Sequence, residues 1–139
     1  MSGLQRVAGR PTWLLSRAQI RAHDLLADAF AAEGVRGYHF RLLAALDQYG
    51  PASQADLGRH TGIDRSDVVA TVNELVDRGF AVRKADPVDR RRNIVSITKR
   101  GATALNRLDA VLDGVQAALL APLTPNERAT LVRLLAKLG

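Results

Sequence analysis

The stretch from Ser53 to Thr98 limits the fold more than any other part of the chain. It opens SQADLGRHTGIDRSDVVATVNELVDRG and continues FAVRKADPVDRRRNIVSIT. Ser53, with Asp56 three residues on, marks a helix start with an acidic partner. This short helix ends near His60. The TGI segment then makes a tight turn at Gly62, which can take the positive φ that such a turn needs. Asp64, with Asp67 three residues on, caps a second helix that runs to about Arg78, where Gly79 ends it. Gly58 is small where two helices would approach, and Val68 joins Leu57, Ile63, Val72 and Leu75 in packing the second helix onto the first. Two helices joined by a glycine-containing turn of this length form a helix-turn-helix unit. Beyond Gly79, FAVRKA and NIVSIT are β-rich runs flanking DPVDRRR, a hairpin opened by Asp86-Pro87 and tipped with arginine.

A helix-turn-helix followed at once by a hairpin has the order of a winged helix. The flanking segments are helical. Pro11 suits the first turn of a helix reaching Glu33, with Leu14, Ala18, Ala22, Leu25 and Ala29 on one stripe. A second helix spans Tyr38 to Tyr49 and stops at Gly50-Pro51. Thr98 caps a long helix to about Leu120 that carries Leu105, Leu108, Leu112, Val115 and Leu119. TPNE at 124–127 restarts the chain with a capping box, and a last helix carries Leu131, Leu134, Leu135 and Leu138. The expected fold is mainly α with a small β-hairpin wing. It forms one domain over residues 1–139, with the winged helix-turn-helix at 38–98 between N- and C-terminal helical segments at 11–36 and 99–139.

Composition removes several function classes. The chain has no cysteine, which excludes disulfides, thiolate nucleophiles and cysteine metal sites. Its three histidines, His23, His39 and His60, have no metal-ligand spacing. No metal or other cofactor is therefore expected. No paired carboxylates, Ser–His–Asp pattern or phosphate-binding glycine loop points to an enzyme. No apolar run is long enough to span a membrane, and residues 1–13 do not read as a signal peptide, so the cytoplasm is the expected compartment. Seventeen arginines against three lysines suit a G+C-rich bacterial genome.

The charge is more informative. The formal net charge is +6, and from Arg78 to Arg100 eight Arg or Lys face two Asp. Elsewhere the two signs balance, so the whole excess lies on and around the hairpin. Positive charge concentrated on one element is an electrostatic footprint for phosphate.

The second helix of the unit presents Asp64, Arg65, Ser66 and Asp67 at its N-terminal end, the end that enters the major groove in helix-turn-helix docking. Arg65 can offer two donors to guanine O6 and N7, and Ser66 can bond a base or a phosphate. Asp64 reads mainly as a cap. Asp67 reads as a helper to that cap or an acceptor for cytosine N4. Ser53 and Gln54, opening the first helix, complete the DNA-binding set on this side. On the hairpin, a two-residue period along an extended strand would place Asp89 and Arg91 on one side. There the carboxylate would hold the guanidinium in one rotamer for a narrow minor groove. Arg90 and Arg92 would point the other way, toward flanking phosphates.

DRRRNIVSIT, Asp89 to Thr98, resembles the wing signature of the MarR-type winged-helix transcriptional regulators: Asp, any residue, Arg, five residues, then an aliphatic residue and Thr. Asp89, Arg91, Ile97 and Thr98 fill those places, and Gly101 follows at the usual interval. DRSDVVATVNELVDRGFAVR is similar to the family's recognition helix and first wing strand, and the likeness extends over nearly the whole chain. It implies a homodimer joined through the end helices, in agreement with their leucine stripes. It implies a double-stranded DNA operator, near-palindromic, with Arg91 as the minor-groove arginine and Asp89 its support. It implies a repressor released by a small anionic or phenolic effector, with Trp13, Arg17, His23, Tyr38, His39 and Arg41 as candidate pocket residues. Val69 and Ala70 depart from the polar or basic residues common at those positions, so the operator sequence does not carry over. A competing reading keeps the fold but uses it for protein or RNA contact, without a defined DNA target.

Overall fold

The computed structural model describes residues 4–139; the first three residues of the N-terminal stretch lie outside that range. Six helices and three short strands follow the order α1 (Pro11–Ala32), α2 (Gly37–Tyr49), β1 (Ala52–Ser53), α3 (Gln54–Thr61), α4 (Arg65–Asp77), β2 (Ala81–Ala85), β3 (Asn93–Ile97), α5 (Lys99–Leu119) and α6 (Pro125–Leu138). None of these helices is long and apolar enough to cross a membrane.

The chain divides into two compact units. One is Phe30–Val111 and the other joins Met1–Ala29 to Leu112–Gly139. Both divisions fall inside helices, one within α1 and one within α5. The reason is packing: Phe30 stacks on Phe40 with ring centroids 5.7 Å apart, and Leu105 and Leu108 are buried. The inner ends of α1 and α5 therefore belong to the winged-helix unit.

In that unit α2, α3 and α4 close over one core. Leu42, Leu43 and Leu46 of α2 meet Leu57 of α3, Ile63 of the turn, and Val68, Val72 and Leu75 of α4. The local signals explain the helix ends. The Ser53 hydroxyl accepts from the Asp56 amide at 3.1 Å. Gly62 ends α3 in the left-handed conformation at φ 69°, as its place in the turn requires. Gly58 is less constrained than expected: a Cβ there would sit 3.5 Å from the Ile63 carbonyl oxygen, an ordinary contact that alanine would tolerate.

The hairpin is wider than the sequence suggests. β1 pairs with β3, giving an antiparallel sheet in the order β1-β3-β2, with Ala52 opposite Val95 and Ser53 opposite Ile94. This pairing fixes the N-terminus of α3 to the tip-side half of β3. At the other end of β3, the Thr98 hydroxyl accepts from the Gly101 amide at 3.0 Å and donates to the Gly79 carbonyl at 2.6 Å. The Thr98 amide donates to the Phe80 carbonyl. One threonine thus caps α5 and closes the sheet.

Thr71 of α4 is fully buried, and its hydroxyl oxygen has no hydrogen-bond partner among the described residues. An unpaired buried hydroxyl costs free energy that an isosteric methyl does not. Thr71→Val is expected to raise unfolding stability by about 1 kcal/mol. Urea denaturation would measure it, and a lower midpoint would contradict it.

The smaller unit holds most of α1 with the end of α5 and α6. The Arg21 guanidinium donates to the Leu119 and Ala118 carbonyls at 2.9 and 3.1 Å, serving unpaired oxygens at the end of α5. Thr124 and Glu127 form the expected capping box. The apolar residues Leu14, Leu15 and Ile20 of α1, with Val132, Leu134, Leu135 and Leu138 of α6, are exposed.

Candidate nucleic-acid interface

Three elements of the winged-helix unit converge on one hollow of about 370 Å³. Ser53, Gln54, Ala55 and Arg59 line it from the α3 side, Arg65 from α4, and Arg91, Arg92 and Asn93 from the wing. Among the described residues, four guanidiniums and no carboxylate face this space.

On α4 the Asp64 carboxylate accepts from the Ser66 amide at 3.2 Å and from the Ser66 hydroxyl at 2.6 Å. These bonds, the hydroxyl's above all, hold the Asp64 carboxyl below the usual range. The cap therefore works through Ser66, not through Asp67. It also occupies the only proton that Ser66 could offer an acceptor, so Ser66 must leave Asp64 to bond a phosphate. Arg65 is exposed. Ser53 is buried with its hydroxyl used as the α3 cap, while Gln54 is half-buried at the edge of the hollow.

The wing turn has a different construction from the one expected. Residues 86–92 lie between the strands and are not extended. The Asp86 carboxylate accepts from the Val88 amide at 2.9 Å, and the Asp89 carboxylate accepts from the Arg91 amide at 3.1 Å. These are two consecutive Asx turns. The same Asp89 carboxylate takes Arg91 Nε at 3.1 Å and Nη2 at 3.4 Å. Asp89 and Arg91 do meet, but through a turn that folds the chain back, not through strand alternation. Arg91 donates twice to one carboxylate, yet its side chain is 91% exposed. The hydrogen bonds from Arg91 hold the Asp89 carboxyl below its ordinary range, so it stays charged as a support.

The turn also corrects the expectation for Arg92. It does not point away from Arg91 but lines the same hollow, with Nε 3.5 Å from an Asp86 oxygen. Arg90 is exposed and does not line it.

Arg59 was not singled out from sequence. It is ion-paired to Asp56 across one helical turn. The Asp56 carboxyl is held low by its hydrogen bonds with Ser53 and Arg59, with a further contribution from the charge of Arg92. A basic residue one turn after an acidic one, on the first helix of the helix-turn-helix, was the available signal.

The residues proposed for an effector pocket have separate placements. In the smaller unit, Arg17 lies over the Trp13 ring at 5.9 Å, and both line a hollow on α1 with Ile20, Arg21 and Asp24. His23 is exposed. In the winged-helix unit, Arg41 and Arg36 lie over the Tyr38 ring at 5.4 and 6.0 Å. His39 is buried, and both ring nitrogens are engaged: Nδ1 accepts from the Arg36 amide at 2.8 Å, and Nε2 lies 2.6 Å from Glu74 Oε2. Accepting at Nδ1 requires the neutral ring with its proton on Nε2.

Burial holds the His39 pKa below its ordinary value of 6.5, against the opposing pull of Glu74. The unfolded chain therefore binds this proton more readily than the folded one. The stabilising contribution is complete above about pH 6.5 and is lost as pH falls below it. Glu74, held low chiefly by Arg36, adds a loss of the same sign at more acidic pH. Urea midpoints should therefore fall between pH 7 and 5.5, and this part of the fall should vanish in a His39→Gln protein. A flat wild-type profile would contradict the assignment.

The model of the MarR family matches residues 33–92, from the elbow before α2 to the third wing arginine. A protein of Thauera aromatica assigned to transcriptional regulation of the hcr operon is 33% identical over 133 residues, covering 95% of this chain and 80% of that one. The chain belongs to the MarR family. It is a transcriptional regulator and not an enzyme. A second relative is the HTH-type transcriptional repressor NicR of Pseudomonas putida, 32% identical, with 90% of this chain and 79% of that one covered. Among solved structures, BpsR of Bordetella bronchiseptica, whose DNA binding is regulated by 6-hydroxynicotinic acid, superposes with a TM-score of 0.81 at 26% identity. That match covers 98% of this chain and 97% of the other. The conspicuous wing residues of this MarR family chain now have physical roles: Asp89 builds the turn, Arg91 leaves it, and Thr98 locks its base.

Proposed function

We propose that the chain is a cytoplasmic, homodimeric repressor that binds a near-palindromic operator. The N-terminal end of α4 would lie in the major groove with Arg65 toward base edges, and Arg91 would enter the adjacent minor groove. The observation that carries this reading is the Asp89–Arg91 pair: a guanidinium oriented by two hydrogen bonds while its side chain stays almost wholly in solvent. Such a group loses little freedom on entering a narrow, strongly negative groove. Arg90 would add a phosphate contact.

The exposed apolar residues of α1 and α6 support association with a second copy, which would place two winged helices on one duplex. Trp13 and Arg17 on α1 offer an aromatic face and a cation, which suit a small aromatic anion as effector. NicR and BpsR make a ligand-released repressor the working expectation.

Footprinting on the DNA upstream of the chain's own gene tests the arrangement. Two protected half-sites about one helical turn apart, ~10 bp, are expected. Protection of a single half-site, with a monomeric mass by light scattering at micromolar concentration, would overturn it.

A further inference from the structure

We infer that the hollow between α3, α4 and the wing seats one phosphodiester strand, and that Arg59 and Arg92 clamp a phosphate of that strand. This rests on the operator-binding reading and adds the part of the DNA that neither Arg65 nor Arg91 reads. The major and minor grooves of a duplex are separated by a sugar–phosphate strand. If Arg65 enters one groove and Arg91 its neighbour, the strand between them must pass between those two side chains. Both line the hollow, Arg65 from α4 and Arg91 from the wing, and Arg59 and Arg92 line it too.

The chemistry of the lining suits a phosphate. Arg59, Arg65, Arg91 and Arg92 supply guanidinium donors, and Gln54 and Asn93 supply side-chain amides. The amides of Gln54 and Ala55 lie in the first turn of α3, where helix geometry leaves N–H groups without intrahelical acceptors. The carboxylates that hold the clamping arginines are absent from the lining: Asp56 grips Arg59, and Asp86 lies 3.5 Å from Arg92. Arg59 and Arg92 line the same hollow before DNA arrives. The β1–β3 pairing holds the α3 wall against the wing wall, so the space is preformed.

A phosphate contact and a base contact have different signatures. Each phosphate neutralised contributes about 0.9 to the slope of log K against log salt concentration, without regard to sequence. Fluorescence anisotropy on the operator duplex and on a shuffled duplex, across a salt series, would compare wild type, Arg59→Ala, Arg59→Lys and Arg65→Ala. Arg59→Ala should lower the slope by about one per half-site and weaken both duplexes alike, leaving their ratio intact. Arg59→Lys should keep the slope. Arg65→Ala should reduce the ratio. An unchanged slope in an Arg59→Ala protein that melts like wild type would overturn the clamp while leaving operator binding standing. Loss of the ratio in Arg59→Ala would also overturn it, by making Arg59 a base reader. A wild type that does not distinguish the duplexes would remove the underlying reading, and the clamp with it.

Discussion

A Gly101→Ala protein should lose about 3 kcal/mol of folding stability, the upper end of what overpacking a close-fitted site costs. Gly101 lies in the first turn of α5, and a Cβ there would fall 2.0 Å from the Phe80 carbonyl oxygen and 2.9 Å from Ile97 Cγ1. The obstructing atom is backbone, and it already accepts a hydrogen bond from the Thr98 amide. It cannot move without breaking the junction that joins α4, the sheet and α5. Helix propensity would favour alanine by about 1 kcal/mol, which is too little to offset the clash. Urea denaturation should show the loss, and weaker operator binding should accompany it because the wing's base shifts. Stability within about 0.5 kcal/mol of wild type, the range of an ordinary surface change, would mean that the junction has slack.

The second large effect concerns DNA. Arg91→Ala should cost ~1–3 kcal/mol of operator affinity, the scale of losing one well-ordered base-edge or groove contact. At about tenfold per 1.4 kcal/mol, this is roughly a five- to 150-fold rise in Kd. Folding stability should be little changed, because the side chain is exposed and its pairing with Asp89 lies in water. Asp89→Ala should weaken binding as well, through loss of the Asx turn and of the held rotamer. Anisotropy titration would measure both. Arg91→Ala binding at wild-type affinity would end the wing argument.

Legibility followed the range of the interaction. Ser53, Asp64, Thr98 and Thr124 announce helix starts because a cap is made within three residues of itself, and each does cap. Ala52–Ser53 gave no strand signal. It is two residues long, and its partners, Ile94 and Val95, lie about forty positions away. The hairpin was legible, but its tip was not. Strand alternation assigned Arg92 the wrong side because Asp86 and Asp89 turn the chain between the strands. Arg59 escaped notice for a related reason: its place beside the wing arginines exists only once β1 has docked on β3. The contact of His39 with Glu74, thirty-five residues on, is hidden from the sequence by the same long range.

A winged helix built in this way should recognise one DNA sequence above others. The most direct test is the affinity of the purified protein for the DNA upstream of its own gene, set against an unrelated duplex of equal length, from low to physiological salt. A ratio of at least about 10³ in favour of the upstream duplex, persisting as salt rises, is the expected result. Equal affinities that collapse together with salt would contradict it, leaving only a basic hairpin drawn to phosphate.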